Sequence, residues 1–195
     1  MGVGLIILII VLAVIVIAIA VVVGMYNGLV RLRNAMKNAW AQIDVQLKRR
    51  HDLIPNLIET VKGYRDFERE TLEAVTKARG AAVQASSSGA GAAERAKVEG
   101  ELSGALSRLM VVVERYPDLK ANQNFLALQE ELTSTENKIG FSRQYYNDSV
   151  LKYNNQTQMF PSSIIAGMFG FQAGEFFQVT AEEERQAPKV NFAKG

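Results

Sequence analysis

The chain has 195 residues, 22 basic side chains against 20 acidic ones, and a formal net charge of +2. That near balance carries no electrostatic footprint for nucleic acid. Cysteine is absent, which excludes disulfides, a thiolate nucleophile and a cysteine-ligated metal.

The first element is the run from Val3 to Val23, built only from Val, Ile, Leu, Ala and Gly4. A hydrocarbon core of about 30 Å needs about 20 apolar residues of helix at about 1.5 Å each. In lipid an unpaired backbone is so costly that a lone segment must be helical, whatever its β-branched content. A cleaved signal peptide needs a basic start, an apolar stretch of about 7–15 residues and a small-residue cleavage site. The run has no Lys or Arg before it, is too long and is followed by no convincing cleavage site, so the expectation is an uncleaved anchor over residues 1–25. Arg31, Arg33, Lys37, Lys48, Arg49 and Arg50 all follow it. The positive-inside rule then places the N-terminus outside and the large domain in the cytoplasm.

Gly24-Met25-Tyr26-Asn27-Gly28 leaves the membrane, either as a hinge or as part of one long helix. Tyr26 suits the interface. Beyond it, apolar residues recur at spacings of four and three. One row is Leu29, Met36, Ile43, Leu57 and Tyr64; the other is Trp40, Leu47, Ile54, Val61 and Val75. Such a stripe marks a helix buried along one face, and Arg50 and Glu68 interrupt it. Pro55 predicts a break, since a mid-helix proline costs about 3 kcal/mol. Asp52 would cap the restart and put proline in the tolerated first turn. The expected elements are therefore helices over 26–51 and 53–85, two collinear rods or one kinked rod.

Ser86-Ser87-Ser88-Gly89-Ala90-Gly91 reads as a turn. A third helix over 92–116 carries Val98, Leu102, Ala105, Leu109, Val112 and Tyr116, and ends before Pro117. A fourth, over 121–159, has the cleanest period, with Phe125, Leu132, Ile139, Tyr146 and Tyr153 each seven apart. Residues 26–160 thus predict an antiparallel bundle of long helices. Residues 161–195 form a different segment: an apolar, glycine-broken short helix around Ile164 to Phe171, then Phe176 and Phe177. This tail either covers the end of its own bundle, packs on a neighbouring subunit or returns to the membrane surface. Thr180 and Glu183 fit a capping box, Glu182–Glu184 reads as a solvated acidic face, and the last residues, past Pro188, as extended.

No catalytic constellation emerges. His51 is the one histidine; it reads as a solvated or helix-end residue, because a metal site or triad needs partners at workable spacing. Glu68 and Glu130 or Glu131 could be neighbours in a bundle, but the Glu-x-x-His element of di-metal bundles is absent. No cofactor or metal is expected. The stretch Gln42–Arg50 has two readings: a surface helix with an Asp44–Lys48 pair, or a partner surface with Arg50 buried at a stripe position against a carboxylate. The Asn- and Gln-rich stretch Asn147, Asn154, Asn155, Gln156 and Gln158 is either helix-end polarity or hydrogen bonding between subunits.

Several motifs resemble one family. Tyr26-Asn27-Gly28-Leu29-Val30-Arg31-Leu32-Arg33-Asn34 after an anchor, the run from Ala39-Trp40-Ala41-Gln42-Ile43-Asp44 through Arg50, and Asp52-Leu53-Ile54-Pro55-Asn56-Leu57 are similar to LemA family proteins. So are Tyr116-Pro117, Glu136-Asn137-Lys138-Ile139, Arg143, Tyr146-Asn147 and Phe160-Pro161. The resemblance implies a bacterial membrane protein, placed at the inner membrane, with an antiparallel helical bundle and relatives tied to magnetosome membranes; it does not imply a catalytic residue.

The expected class is therefore all-α: one transmembrane helix, an antiparallel long-helix bundle, a short apolar helix and an extended tail. The expected role is a non-enzymatic scaffold that self-associates on a membrane. Its candidate interaction surface is Asp44, Lys48, Arg49, Arg50, Glu68, Tyr146, Asn147, Ile164, Ile165, Phe169 and Phe171. Its expected partners are the bilayer, further copies of itself and a membrane protein. The alternative is an adaptor for a membrane-bound protease or an envelope-maintenance complex.

Overall fold

The computed structural model describes residues 2–64 and 67–178. The motif at Thr180 and Glu183, the cluster Glu182–Glu184, Pro188 and the extended end lie outside the described residues. The elements are all helices: α1 (Gly2–Lys62), α2 (Arg69–Ser87), α3 (Ala92–Val113), α4 (Pro117–Lys120), α5 (Gln123–Gln158) and α6 (Ser162–Met168). The apolar start of α1 has a mean hydropathy of 3.9 over 18 residues, and none of that stretch is buried. Its length and composition suit a membrane span.

Of the two readings of Gly24–Gly28, the one long helix is found: α1 crosses it. One rod also runs through Asp52 and Pro55, but it ends at Lys62 and the next helix starts at Arg69, so the expected bounds 26–51 and 53–85 are corrected. The proline is tolerated for a local reason. Pro55 has no N–H to give the carbonyl four residues back, which is that of His51. Arg79 Nε donates to that carbonyl at 2.7 Å from α2. A side chain on another helix thus supplies the missing hydrogen bond. A smaller correction concerns α3, which stops at Val113; Pro117 then starts the one-turn α4.

The chain forms two compact units, with α1 and α5 contributing to both. The anchor unit takes in Met1–Lys48 and Glu136–Gly174. Here α1 and α5 run antiparallel. Trp40 meets Tyr146 at 5.1 Å between ring centroids, and Leu29 shares a core with Tyr153 and with Ile165, Ala166 and Phe171 at and just beyond α6.

The bundle unit is built on Arg49–Thr135. The C-terminal part of α1, α2, α3 and the first part of α5 alternate in direction around one core. That core includes Ile54, Leu57, Val61, Val75, Leu102, Leu109, Phe125 and Leu132. The expected stripes are the buried ones: Leu29, Ile43, Leu57, Leu47, Ile54 and Val61 on α1, and all five heptad-spaced residues of α5.

The turns carry their own chemistry. At the α2–α3 turn Gly89 has φ +72°, and Ala90 N donates to Ala85 O at 3.2 Å, the long bond of a glycine-terminated helix. At the start of α5 the Asn122 side-chain oxygen accepts from the backbone N–H of Asn124 and Phe125, at 2.9 and 3.1 Å. That satisfies two otherwise orphaned donors. Asn122 Nδ2 also donates to the Tyr64 hydroxyl at 3.1 Å, tying this cap to the end of α1.

Candidate functional site

Two arrangements stand out, one in each unit. In the bundle unit the core is not wholly apolar. Arg50 sits seven residues after Ile43 and seven before Leu57, in the apolar row of α1, and is 1% exposed. Glu99 of α3 is 4% exposed. The Arg50 guanidinium donates to the Glu99 carboxylate, and its Nη1 donates to Ser103 Oγ at 2.8 Å. His51 Nε2 lies 3.0 Å from Glu99 Oε1. An ionised carboxylate only accepts, so that imidazole nitrogen carries the hydrogen. Burial pushes the Glu99 carboxyl upward, but the His51 hydrogen bond and the Arg50 and His51 charges outweigh it. They hold it below its ordinary value.

Arg50 is thus buried against a carboxylate, as one reading expected, but that carboxylate belongs to the same chain rather than to a partner. The reading of His51 as solvated or at a helix end is corrected: it is buried in the interior of α1. The partner Glu99 was missed, as was Arg95, which is also buried. Both carry a signal: with Leu102, Leu106, Leu109 and Val113 they continue one row at spacings of four and three. Such a buried set has little scope for chemistry on a substrate. It can fix which helix faces which, the best-attested use of buried charge.

The other sequence candidates in this unit lie on its surface. Arg49 pairs with Glu131. Glu68 is exposed and pairs with Arg115 at 2.6 Å. Glu68 therefore interrupts no buried stripe, because α1 has ended and the helical phase restarts at Arg69. Glu68 and Glu131 are each engaged with an arginine rather than with one another. An open groove of about 620 Å³ beside the α1–α2 turn has Ile58, Phe67 and Leu72 among its lining and Lys62, Arg69 and Lys77 as its basic members. Among the described residues no three carboxylate or imidazole side chains gather as a metal site.

In the anchor unit the second arrangement surrounds Tyr26, where α1 leaves its apolar stretch. Tyr26 makes edge contacts with Phe169 at 4.9 Å and with Phe171 at 5.6 Å between centroids. The Arg33 guanidinium lies over the Phe171 ring at 4.9 Å. What delivers Phe171 is the end of α6. Gly170 has φ +68°; Phe171 N donates to Ala166 O at 2.9 Å and Gly170 N to Gly167 O at 3.4 Å. This pair of bonds, with an apolar contact from Phe171 back to the helix, is the Schellman arrangement.

The segment is then clamped. Asn154 Nδ2 donates to Gly174 O at 3.0 Å, and Gly174 N donates to Asn154 Oδ1 at 2.7 Å. A side chain at Gly174 would meet Met36 Sδ at 2.5 Å, so the flexible end of Met36 would have to move to admit one. Gln156 Nε2 donates to Ser162 Oγ at 3.0 Å. The amides of Asn154 and Gln156 thus have partners within the chain. Of the remaining candidates here, Ile165, Phe171 and Tyr146 are buried, Asp44 and Asn147 are half-buried, and Lys48, Ile164 and Phe169 are exposed.

With this geometry in view, the comparisons are specific. The LemA family model matches residues 39–192. Protein LemA of Metamycoplasma hominis is 26% identical over 161 residues, covering 83% of this chain and 72% of that protein. A magnetosome protein MamQ of Paramagnetospirillum magneticum is 25% identical over 175 residues, covering 78% of this chain and 64% of its own length. The MamQ of Magnetospirillum gryphiswaldense is 24% identical over 174 residues, again at 64% of its length. This chain thus spans just under two thirds of the magnetosome proteins it matches. With a family match over most of its length and an apolar helix suited to a membrane, the chain is a membrane-associated helical protein that belongs to the LemA family.

Proposed function

We propose that this chain is a non-enzymatic, membrane-anchored helical scaffold that associates with copies of itself. One observation carries the reading. The anchor unit pairs two long helices and leaves large apolar side chains on their outer faces: Phe141 is 74% exposed, Val45 63% and Tyr145 51%. The Trp40–Tyr146 contact sets the antiparallel register. Equal helical rise then puts Val45 and Phe141 at one level. A helix pair with apolar residues outside as well as inside is what a further helix pair can cover. One anchor per copy would hold copies side by side, so weak lateral contacts gain from a high effective concentration. The relatives named as magnetosome proteins fit a role in organising a membrane.

The test is the mass of the full-length protein in mild detergent. The reading expects a multiple of 21.5 kDa, falling towards one copy in Phe141→Ser/Tyr145→Ser. A monomer at micromolar concentration overturns it, and a stoichiometric complex with a different membrane protein moves the surface to the adaptor role. Basic residues beyond α1's apolar stretch favour a cytoplasmic domain at the bacterial inner membrane. The chain has no cysteine, so Ser87→Cys gives a clean probe of sidedness. Labelling of intact spheroplasts by an impermeant thiol reagent reverses the assignment.

A further inference from the structure

We propose that α6 is a second membrane contact: a short interfacial helix that seats Phe160, Ile164, Met168 and Phe169 in the lipid headgroup region beside the anchor. The case starts from α6's two faces. Ile165 and Ala166 are buried against α1 and α5, whereas Ile164 and Met168, one helical turn apart, stay exposed. Phe160 and Phe169 flank them and are exposed too, at 81% and 54%. A helix lying on its own bundle in water would turn a polar face outward. Here both faces are apolar.

What covers the outer face follows from where α6 is held. Phe169 is in ring contact with Tyr26, which lies three residues past Val23 on the continuous helix α1. Three residues of helix rise ~4.5 Å. The headgroup layer on each side of the hydrocarbon is roughly 5–8 Å deep. Phe169, beside Tyr26, therefore sits at headgroup level where Val3–Val23 spans the bilayer. The composition agrees: from Tyr153 to Gly174 there is no charged residue. Water-facing surface of that length ordinarily carries charge, whereas the membrane–water interface favours aromatic side chains such as those that flank α6. Arg33 over Phe171 adds a cation on the side away from the hydrocarbon.

The occupant is lipid, and the experiment separates it from a protein neighbour. Met168 is 73% exposed, so Met168→Cys carries a polarity-sensitive fluorophore without disturbing the fold. The full-length labelled protein is placed in phosphatidylcholine–phosphatidylglycerol vesicles, with Ser87→Cys as the control. The expected result is blue-shifted Met168→Cys emission, most of which is lost when nitroxide-bearing lipid labelled near the headgroup is added, while the control is unmoved. Emission at Met168→Cys matching the control overturns the proposal. So does emission shielded from aqueous iodide yet untouched by nitroxide lipid, since a neighbouring protein would then be the cover. The readout is lipid proximity rather than mass, so it stands or falls separately from self-association.

Discussion

The bundle unit and the anchor unit are built from the same two kinds of material, apolar stripes and a few polar side chains, but they place them oppositely. The bundle unit puts charge inside, at Arg50 and Glu99, and closes its apolar residues around it. The anchor unit keeps its described charged side chains out of full burial and leaves Phe141, Ile164 and Met168 uncovered. The first arrangement specifies one internal packing. The second leaves surface for something outside the unit. The difference teaches that the same materials can be placed to fix an internal register or to leave an apolar surface open, and attachment through that surface is what the proposals above assign to it.

The largest effect should come from breaking the internal pair. Glu99→Ala strands the Arg50 guanidinium and should cost about 3–5 kcal/mol, read as a lower urea midpoint of the full-length protein in detergent. Arg50→Met/Glu99→Leu removes both charges and should recover most of that loss, with broader tertiary signals as the register loosens. An equal loss in the double variant would assign the cost to packing instead. The same pair has a pH signature. The folded-state pKa of Glu99 lies below the ordinary value it has in the unfolded chain. Its stabilisation is therefore complete above that value and is lost as pH falls through the lower folded value. Glu99→Gln should flatten the stability profile in that acid range; an unchanged slope would remove Glu99 from the account.

Next comes Pro55. If Arg79 truly replaces the missing helical donor, Arg79→Met leaves the His51 carbonyl unsatisfied and should cost roughly 1–3 kcal/mol. Pro55→Ala restores an N–H at the right place, so the same Arg79→Met change should cost less in that background. Additive effects would show that the two residues act independently.

This pair also marks where the sequence was legible. The stripes that run through Leu29, Ile43 and Leu57, and the heptad from Phe125 to Tyr153, could be read because burial follows spacing within one helix. Arg50 was readable as a stripe position for the same reason. Glu99 was not, because its charge outweighed its place in the row shared with Leu102 and Leu109. The break expected at Pro55 failed because the remedy, Arg79, lies on the next helix, and no local pattern reports it. Similarly, the pairing of Asn154 with the Gly174 backbone joins residues 20 apart, and no local pattern reports it. The split of the apolar tail into inward Ile165 and Phe171 and outward Ile164 and Phe169 depends on that pairing as well.

The smallest and most discriminating test uses two glycines. Gly89 ends α2 in the bundle unit and Gly170 ends α6 in the anchor unit, with φ of +72° and +68°. At both, an added Cβ meets nothing within 4 Å, so alanine introduces no clash and the cost is conformational, about 1–2 kcal/mol. Where that cost falls depends on the unit. Gly89→Ala strains a hairpin whose two helices share the closed core, and it should lower the bundle's urea midpoint. Gly170→Ala strains only the turn that returns Phe171 to Tyr26, so the midpoint should hold. Hydrogen exchange at the Phe171 amide should instead quicken by about 5- to 30-fold, the population change that such a cost produces. If Gly170→Ala also lowered the midpoint, α6 would belong to the same cooperative unit as the bundle. The contrast between a closed unit and an attaching one would then fail at the element on which the membrane contact depends.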